Sequence, residues 1–229
     1  MDGSQKRKRH LVAKETKTSG TRRKDRILDT AEALFARHGF DGVSMRKVAD
    51  GAGVDLALAS YHFGSKRGLF DAVLLRRAEV LNETRLSALE KCEEEAGPQG
   101  PSVEAIIDAF LHPLLGRGLQ EDEGWLHYFE LVAQVNSSPE WGGQLMTKYF
   151  DPLVQRFMDA LKKALPEADP ANLYWCYHFL SGALTLTFAH TGRIDQLSSG
   201  AAKSEDMVGA YKRMVPFITA GFKKMCEPG

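Results

Sequence analysis

The sequence has few cysteines and no long apolar run, and these absences exclude several classes of protein. Three cysteines, Cys92, Cys176 and Cys226, are far apart, and none forms a CxxC or CxxH pair. Neither a disulfide framework nor a zinc site is therefore indicated, and we expect reduced packing cysteines in a reducing compartment. No run of about 18 apolar residues is present, and the first residues lack the apolar segment of a signal peptide. We therefore expect a cytoplasmic protein without a membrane span.

The sequence also has no net charge, but its charges are unevenly placed. Residues 1–26 contain ten Lys or Arg against three acids, so the remainder carries a net charge of minus seven. A basic front end on an acidic body suggests an anionic partner at that end. Residues 1–20 are polar and unpatterned, so we predict a disordered arm. This arm is either a simple tail or a segment that lies along phosphates or in a minor groove.

No stretch shows the alternation of a β-strand, whereas helical periodicity recurs along the chain and predicts an all-α fold. About nine helices are predicted, over residues 22–39, 44–52, 56–63, 66–95, 102–115, 119–136, 139–165, 171–191 and 205–225. Pro152 should bend its helix or mark the helix's true start. The helix over residues 171–191 is apolar on almost every side, which predicts that it is buried all round.

The most informative stretch is SMRKVADGAGVDLALASYHF, from Ser44 to Phe63. Ser44 is a good N-cap for a first short helix, and the glycines at 51 and 53 end that helix. Asp55 can cap a second helix, LALASYH, whose exposed side carries small residues. Two short helices joined by a glycine turn are typical of a helix-turn-helix, which places its second helix in the major groove of DNA.

Two groups of residues are predicted to contact DNA. The candidates for base contacts are small or apolar, which favours close approach and contact with thymine methyl groups: Leu56, Ala57 and Ser60. The candidates for phosphate contacts lie at helix ends or carry positive charge: Ser44, Arg46, Tyr61, His62 and Lys66. The same pattern also fits a helical hairpin that packs on another part of the protein, with Tyr61 and Phe63 as core aromatics.

The run from Arg26 to Phe70 resembles the DNA-binding domain of the tetracycline-repressor (TetR) family of bacterial transcription regulators. ILDTAEALFARHGF, VADGAGV and YHFGSKRGLF carry the resemblance. It implies a homodimer with a basic arm over residues 1–20, a helix-turn-helix domain over 21–65 and a ligand-binding and dimerisation domain over 66–229. It also implies phosphate contacts by Ser44, Tyr61, His62 and Lys66. At Asp55 the sequence departs from the Ser, Thr or Asn usual in the family, so we interpret Asp55 as an N-cap, with cytosine contact as the alternative.

Two segments, DLALASYHFGSK and, in the C-terminal half, NLYWCYHFLSGAL, resemble the family branch that responds to long-chain fatty acids or their coenzyme A esters. A mostly apolar effector pocket between helices is implied. The predicted lining residues are Phe110, Leu114, Trp125, Phe129, Phe150, Phe157, Tyr177 and Leu184. The last two long helices are predicted to form the dimer interface, through Trp175, Phe179, Ala183, Leu186, Tyr211, Val215, Ile218 and Phe222.

We therefore predict a homodimeric repressor that binds a near-palindromic DNA operator and is released by a small apolar or acyl effector. An activator, or a repressor that needs its ligand, has the same fold and is the main alternative. An all-α enzyme or a helical adaptor is the more distant one. An enzyme would need a convergent set of titratable residues, which the sequence does not offer, and no cofactor or metal site is predicted.

Overall fold

The computed structural model describes residues 3–116, 123–139 and 142–226, with side chains from residue 21 onward. Across these ranges the chain is all-helical, without a strand, as the periodicity predicted. The α-helices are α1 (Gly3–His38), α2 (Met45–Ala52), α3 (Leu56–Phe63), α4 (Lys66–Ala96), α5 (Val103–Leu115), α6 (Glu123–Asn136), α7 (Gly142–Ala164), α8 (Pro170–Phe188), α9 (Arg193–Leu197) and α10 (Met207–Cys226). A single 3-10 turn, Gly97–Gln99, separates α4 from α5.

The chain forms two compact units, Met1–Leu74 and Leu75–Gly229. In the first unit α1 packs on α2, and α2 packs on α3. Its core contains three phenylalanine rings: Phe70 meets Phe35 edge-on at 5.0 Å and Phe40 edge-on at 5.2 Å between centroids. Aromatic pairs in this geometry add to the stability that burial provides. A small unit can thus hold its helices in fixed positions.

The first helix is longer than predicted. Its backbone is helical from Gly3, where the polar composition of residues 1–20 predicted a disordered arm. Periodicity gave no signal there because the segment has no apolar stripe, although Lys, Arg, Gln and Glu are good helix formers. The other end agrees with the prediction: Gly39 has φ 69°, and its amide bonds the Phe35 carbonyl at 2.8 Å.

Helix α4 has 31 residues, as its long apolar stripe predicted, and it contributes to both units. Leu69, Phe70, Val73 and Leu74 are buried in the first unit. The compact unit therefore ends at Leu74, nine residues beyond the boundary drawn at residue 65. The reason is that the first turns of α4 complete the phenylalanine core.

In the second unit, α10 packs against α5 and α8, while α6 and α7 pack on α8 and on each other. Pro152 lies inside α7, so the alternative that it marks the helix's start is wrong. The segment after α8, predicted as a loop, contains the short helix α9. Of the described helices, none is long and apolar enough to cross a membrane.

Candidate nucleic-acid interface and interior cavity

The turn between α2 and α3 depends on Gly53. This residue has φ 61° and ψ 44°, the left-handed conformation that L side chains rarely adopt. Its amide bonds the carbonyls of Ala49 and Asp50, and the next amide, of Val54, bonds the Ala49 carbonyl at 3.0 Å. This pattern satisfies the last carbonyls of α2 and ends the helix. The direction in which α3 leaves the turn is therefore fixed by the backbone.

A second glycine sets how closely α2 approaches α1. A Cβ atom added at Gly51 would lie 2.8 Å from Cγ2 of Thr30, which is too close for any other residue without a shift. Arg26 of α1 also donates a hydrogen bond to the Gly53 carbonyl, at 3.4 Å. Helix α1 thus supports both the body of α2 and the turn that follows it.

One face of α3 is free. Leu56 and Ala57 are exposed and Ser60 is half-buried, whereas Ala59 on the opposite side is completely buried. The three residues predicted to contact bases therefore lie on the outside of the unit. Asp55 occupies the N-cap position as predicted, but its side chain makes no capping hydrogen bond, so its carboxylate is left exposed at the front of α3.

The residues predicted to contact phosphates fall into two sets. Ser44, Arg46 and Tyr61 are exposed, and the Tyr61 side chain is 83% exposed. Ser44 caps α2, because its Oγ accepts a hydrogen bond from the Lys47 amide at 3.2 Å. Its hydroxyl proton is still available to an acceptor. His62 is half-buried and its ring lies 5.4 Å from that of Tyr61.

Lys66 is held more firmly than a surface lysine. Its Nζ donates a hydrogen bond to the Phe40 carbonyl at 3.1 Å and lies 4.3 Å from the centre of the Phe40 ring. An ammonium group has three donors, so this arrangement leaves further donors for an anion. Lys66 is both a candidate phosphate ligand and part of the packing at the start of α4.

The second unit contains a partly open cavity of about 50 Å³, bordered by residues of α4, α5, α6, α7 and α8. Six of the eight predicted lining residues border it: Phe110, Leu114, Phe129, Phe150, Tyr177 and Leu184. Phe157 and Trp125 do not. Phe157 instead packs edge-on against the Phe110 ring at 5.0 Å, and Trp125 packs against the rings of Tyr128 and Phe129.

Polar groups that the sequence analysis did not predict also border the cavity. Asn136 donates hydrogen bonds to the hydroxyl oxygens of Ser181 and Thr185, and Thr185 donates to the Ser181 carbonyl. Burial raises the pKa of the neighbouring Tyr177. Asn136, Ser181 and Thr185 largely satisfy one another.

Arg85 is the charged group of the cavity, and it is only 4% exposed. Its guanidinium carbon lies 3.7 Å from the centre of the Phe110 ring, and its Nε is buried without a hydrogen-bond partner. Burial lowers its pKa to about 10, so the group stays protonated at neutral pH. The sequence contained a signal for it, because Arg85 falls between Leu81 and Leu89 at four-residue steps along the buried stripe of α4.

The predicted dimer residues do not all lie on the surface. On α8, Trp175, Phe179 and Leu186 are exposed, so this helix is not buried on every side as its composition suggested. On α10, Val215, Ile218 and Phe222 are buried inside the protomer, and their assignment to an interface was wrong. These three face the helices against which α10 packs, α5 and α8. Ala183 and Tyr211 are half-buried, and the exposed aromatic residue of α10 is Phe217.

A capped helix, a left-handed glycine turn and a second helix with a free face of small residues define the class of helix-turn-helix proteins. Family models identify the particular family. Residues 27–73 match the bacterial regulatory proteins of the tetR family, and residues 108–221 match the tetracyclin repressor-like C-terminal domain. The chain therefore belongs to the TetR family, and the resemblance found in the sequence is confirmed.

Individual relatives agree with this assignment. The negative regulator of the biofilm operon icaADBC, IcaR of Staphylococcus aureus, is 35% identical over 66% of this chain and 77% of its own length. The transcriptional activator FasR of Mycolicibacterium smegmatis is 29% identical over 52% of this chain and 54% of its own length. The match thus spans about half of the length of FasR. For another mycobacterial regulator, the match spans 30% of that protein's length. These relatives are regulators, not enzymes, as the sequence predicted.

A solved structure shows the same fold. The fatty acid degradation regulator FadR of Bacillus halodurans superimposes with a TM-score of 0.60 over 87% of this chain and 95% of its own. Only 15% of the aligned residues are identical, so this likeness concerns the arrangement of helices alone.

Proposed function

We propose that the protein is a transcriptional regulator that binds a near-palindromic DNA operator as a homodimer, and that a small apolar or acyl effector changes its affinity for that operator. The observation that carries the proposal is the exposed face of α3, where Leu56, Ala57 and Ser60 follow a rigid glycine turn. Small side chains let a helix enter the major groove deeply. The flanking Ser44, Arg46 and Tyr61 supply donors for phosphates.

An apolar stripe on α8 supports the proposed dimer. The α8 stripe consists of Trp175, Phe179, Gly182 and Leu186, which are all exposed and recur at helical spacing. Phe217 of α10 adds further apolar surface, and α10 packs on α8. Large apolar side chains grouped in this way are costly to leave in water and mark an interaction surface. A second copy would cover them, and a two-fold dimer would place its recognition helices about one DNA turn apart.

The interior cavity supports an effector site, and α4 offers a route from this cavity to the DNA-binding unit. Leu81 and Arg85 of α4 border the cavity, while Leu69 and Phe70 of the same helix belong to the core around the helix-turn-helix. A ligand that displaces α4 at the cavity would also move the helix's first turns. Such a ligand changes operator affinity only if it binds the two states unequally.

Repression is the favoured direction, because IcaR is a negative regulator and its sequence match covers 66% of this chain. Activation is the second candidate, since the matched relative FasR is a transcriptional activator. The two directions share the operator contacts described above. They differ in whether transcription rises or falls when the protein occupies its site.

Binding of the purified protein to DNA fragments from the region upstream of its own gene tests the proposal. We expect a dimer-sized complex with one fragment at nanomolar protein, weakening steeply with salt because phosphate contacts release counterions. A protein with Ser60→Ala and Ala57→Ser should change the order of preference among fragments. Binding of every fragment with equal affinity, or of none up to micromolar protein, would contradict the proposal. Transcription in vitro from the bound fragment then separates repression from activation.

A further inference from the structure

Among the described residues, no carboxylate forms an ion pair with the buried cation Arg85. The groups that act electrostatically on its charge are the tyrosines Tyr177 and Tyr128. The ring of Phe110 offers a cation–π contact at 3.7 Å, which offsets part of the cost of burial. It leaves the Nε–H of the guanidinium without an acceptor. A buried charge without a counterion is unfavourable unless something else pairs with it.

Three other polar residues of the cavity are better provided for. Asn136 donates hydrogen bonds to Ser181 and Thr185, and Thr185 donates one to the Ser181 carbonyl. Their hydrogen-bonding capacity is therefore largely used within the protein. Within the described lining of the cavity, Arg85 is the charged side chain, and its Nε–H has no acceptor, so a negatively charged partner would suit it best.

We propose that the effector is a carboxylate with an apolar body, and that Arg85 binds its carboxylate group. The inference rests on the proposed function, because it assigns the chemistry of the effector that the cavity would take. One guanidinium balances one negative charge, and its planar fork matches the two oxygens of a carboxylate. A phosphate monoester, with close to two charges, would leave a net negative charge in the same apolar surroundings.

The cavity walls favour a slender apolar body. Leu81, Leu114, Phe129, Val132 and Leu184 line the cavity together with Arg85, and they offer no second charge. The present volume of about 50 Å³ holds only a few waters, so a ligand has to widen the cavity. The charge of Arg85 favours the free acid over its coenzyme A ester, because a thioester has no charge at its acyl head for the guanidinium to neutralise.

The test compares pairs of probes that differ only in charge. Octanoate, dodecanoate and hexadecanoate are titrated into the full-length protein by calorimetry, each beside its methyl ester. We expect at least one of the three acids to bind about tenfold or more tightly than its ester, the usual strength of a hydrogen-bonded charge. Equal affinity of acid and ester, or no binding of any of the three acids, would overturn the inference.

Two variants locate the effect at Arg85. Arg85→Met keeps an unbranched apolar stem and removes the charge, so acid binding should fall about tenfold or more while ester binding changes little. Lys91→Met removes an exposed charge from the same helix and should leave both unchanged. Without ligand, Arg85→Met should melt at the same temperature as the wild type or higher, because an unpaired buried charge is replaced by an apolar group. A lower melting temperature together with unchanged acid binding would assign Arg85 a purely structural role and refute the proposal.

Operator binding separates this inference from the proposed function. Ligand-free Arg85→Met should bind the operator fragment as the wild type does, and dodecanoate should no longer alter that binding. If the wild-type protein bound carboxylates through Arg85 but bound no duplex, the effector inference would stand and the proposed regulator function would fail. If it bound the operator but preferred no carboxylate, only the inference would fail.

Discussion

The two units of this chain differ in which polar and apolar residues they bury and which they expose. The first unit buries a phenylalanine core and leaves small or polar side chains such as Ala57, Ser60 and Tyr61 on the free side of α3. The second unit buries a charged arginine and exposes the α8 stripe. Among the described residues, exposed large apolar side chains are more numerous in the second unit than in the first. The first unit thus covers its phenylalanine core by its own folding. The second unit has an exposed α8 stripe and a buried arginine, which a second copy and an effector would complete.

The largest expected effect comes from placing a charge on the α8 stripe. Phe179→Arg should produce a monomer in light scattering, because a charge would be buried in the proposed interface. Truncation of a central interface residue costs about 2–4 kcal/mol, so operator affinity should fall roughly thirtyfold or more. Leu197→Arg is the matched control, since Leu197 is similarly exposed but lies on α9. A Phe179→Arg protein that stays dimeric would show that the stripe serves another purpose.

The next effect tests whether the first unit depends on its turn. Gly53→Val forces a β-branched residue into φ 61°, which should lower the free energy of unfolding by about 1–2 kcal/mol. Denaturant titration measures this change, and operator binding should weaken with it. Gly221→Ala is the control: that glycine is exposed inside helix α10 with open space at its Cβ position, so the variant should gain about 0.5–1 kcal/mol. An unaffected Gly53→Val protein would mean that the turn tolerates rearrangement.

A smaller effect separates contacts that position the protein from contacts that select sequence. Tyr61→Phe removes one exposed hydroxyl, so stability should not change, while affinity for every duplex should fall about twofold to tenfold. Fluorescence anisotropy with specific and scrambled duplexes measures both losses. Ser60→Ala provides the contrast, because it should change the specific duplex alone. Equal losses on both duplexes from both variants would contradict this division of roles.

The smallest effect concerns the unusual acid at the front of α3. Asp55→Asn should raise affinity for all duplexes about twofold to fivefold, because it removes one negative charge from the phosphate-facing side. The same anisotropy titrations at low and high salt would show the gain shrinking as salt increases. A loss confined to duplexes with cytosine at one position would instead show that Asp55 accepts a hydrogen bond from that base.

The first unit could be predicted from the sequence in greater detail than the second. Its cap, turn and free face depend on neighbours within a few residues, so Ser44, Gly53 and Ala57 could be placed from local pattern alone. The faces of α8 and α10 depend on which helices pack against them. Ile218 and Phe179 have similar hydrophobicity, and only the packing of α5 and α8 on α10 shows which one is core.

The cavity shows a different limit of sequence pattern. Its aromatic walls could be predicted because large apolar residues on interior helices are good lining candidates. Arg85 could not be assigned a role, because a charge within an apolar stripe is equally consistent with a snorkelling side chain at the surface. The missing partner of its Nε becomes visible only when all neighbouring elements are in place.

Prolines within α5 and α7 have a consequence for how the cavity widens. Pro113 and Pro152 lack an amide hydrogen, so each helix is short of one main-chain bond within a turn of the cavity residues Leu114 and Phe150. A helix without proline would have to break a main-chain hydrogen bond to bend at these points. Helices α5 and α7 lack that bond already, so bending there does not break it. We therefore expect the cavity walls to be mechanically compliant where a guest molecule has to push them apart, and stiff elsewhere.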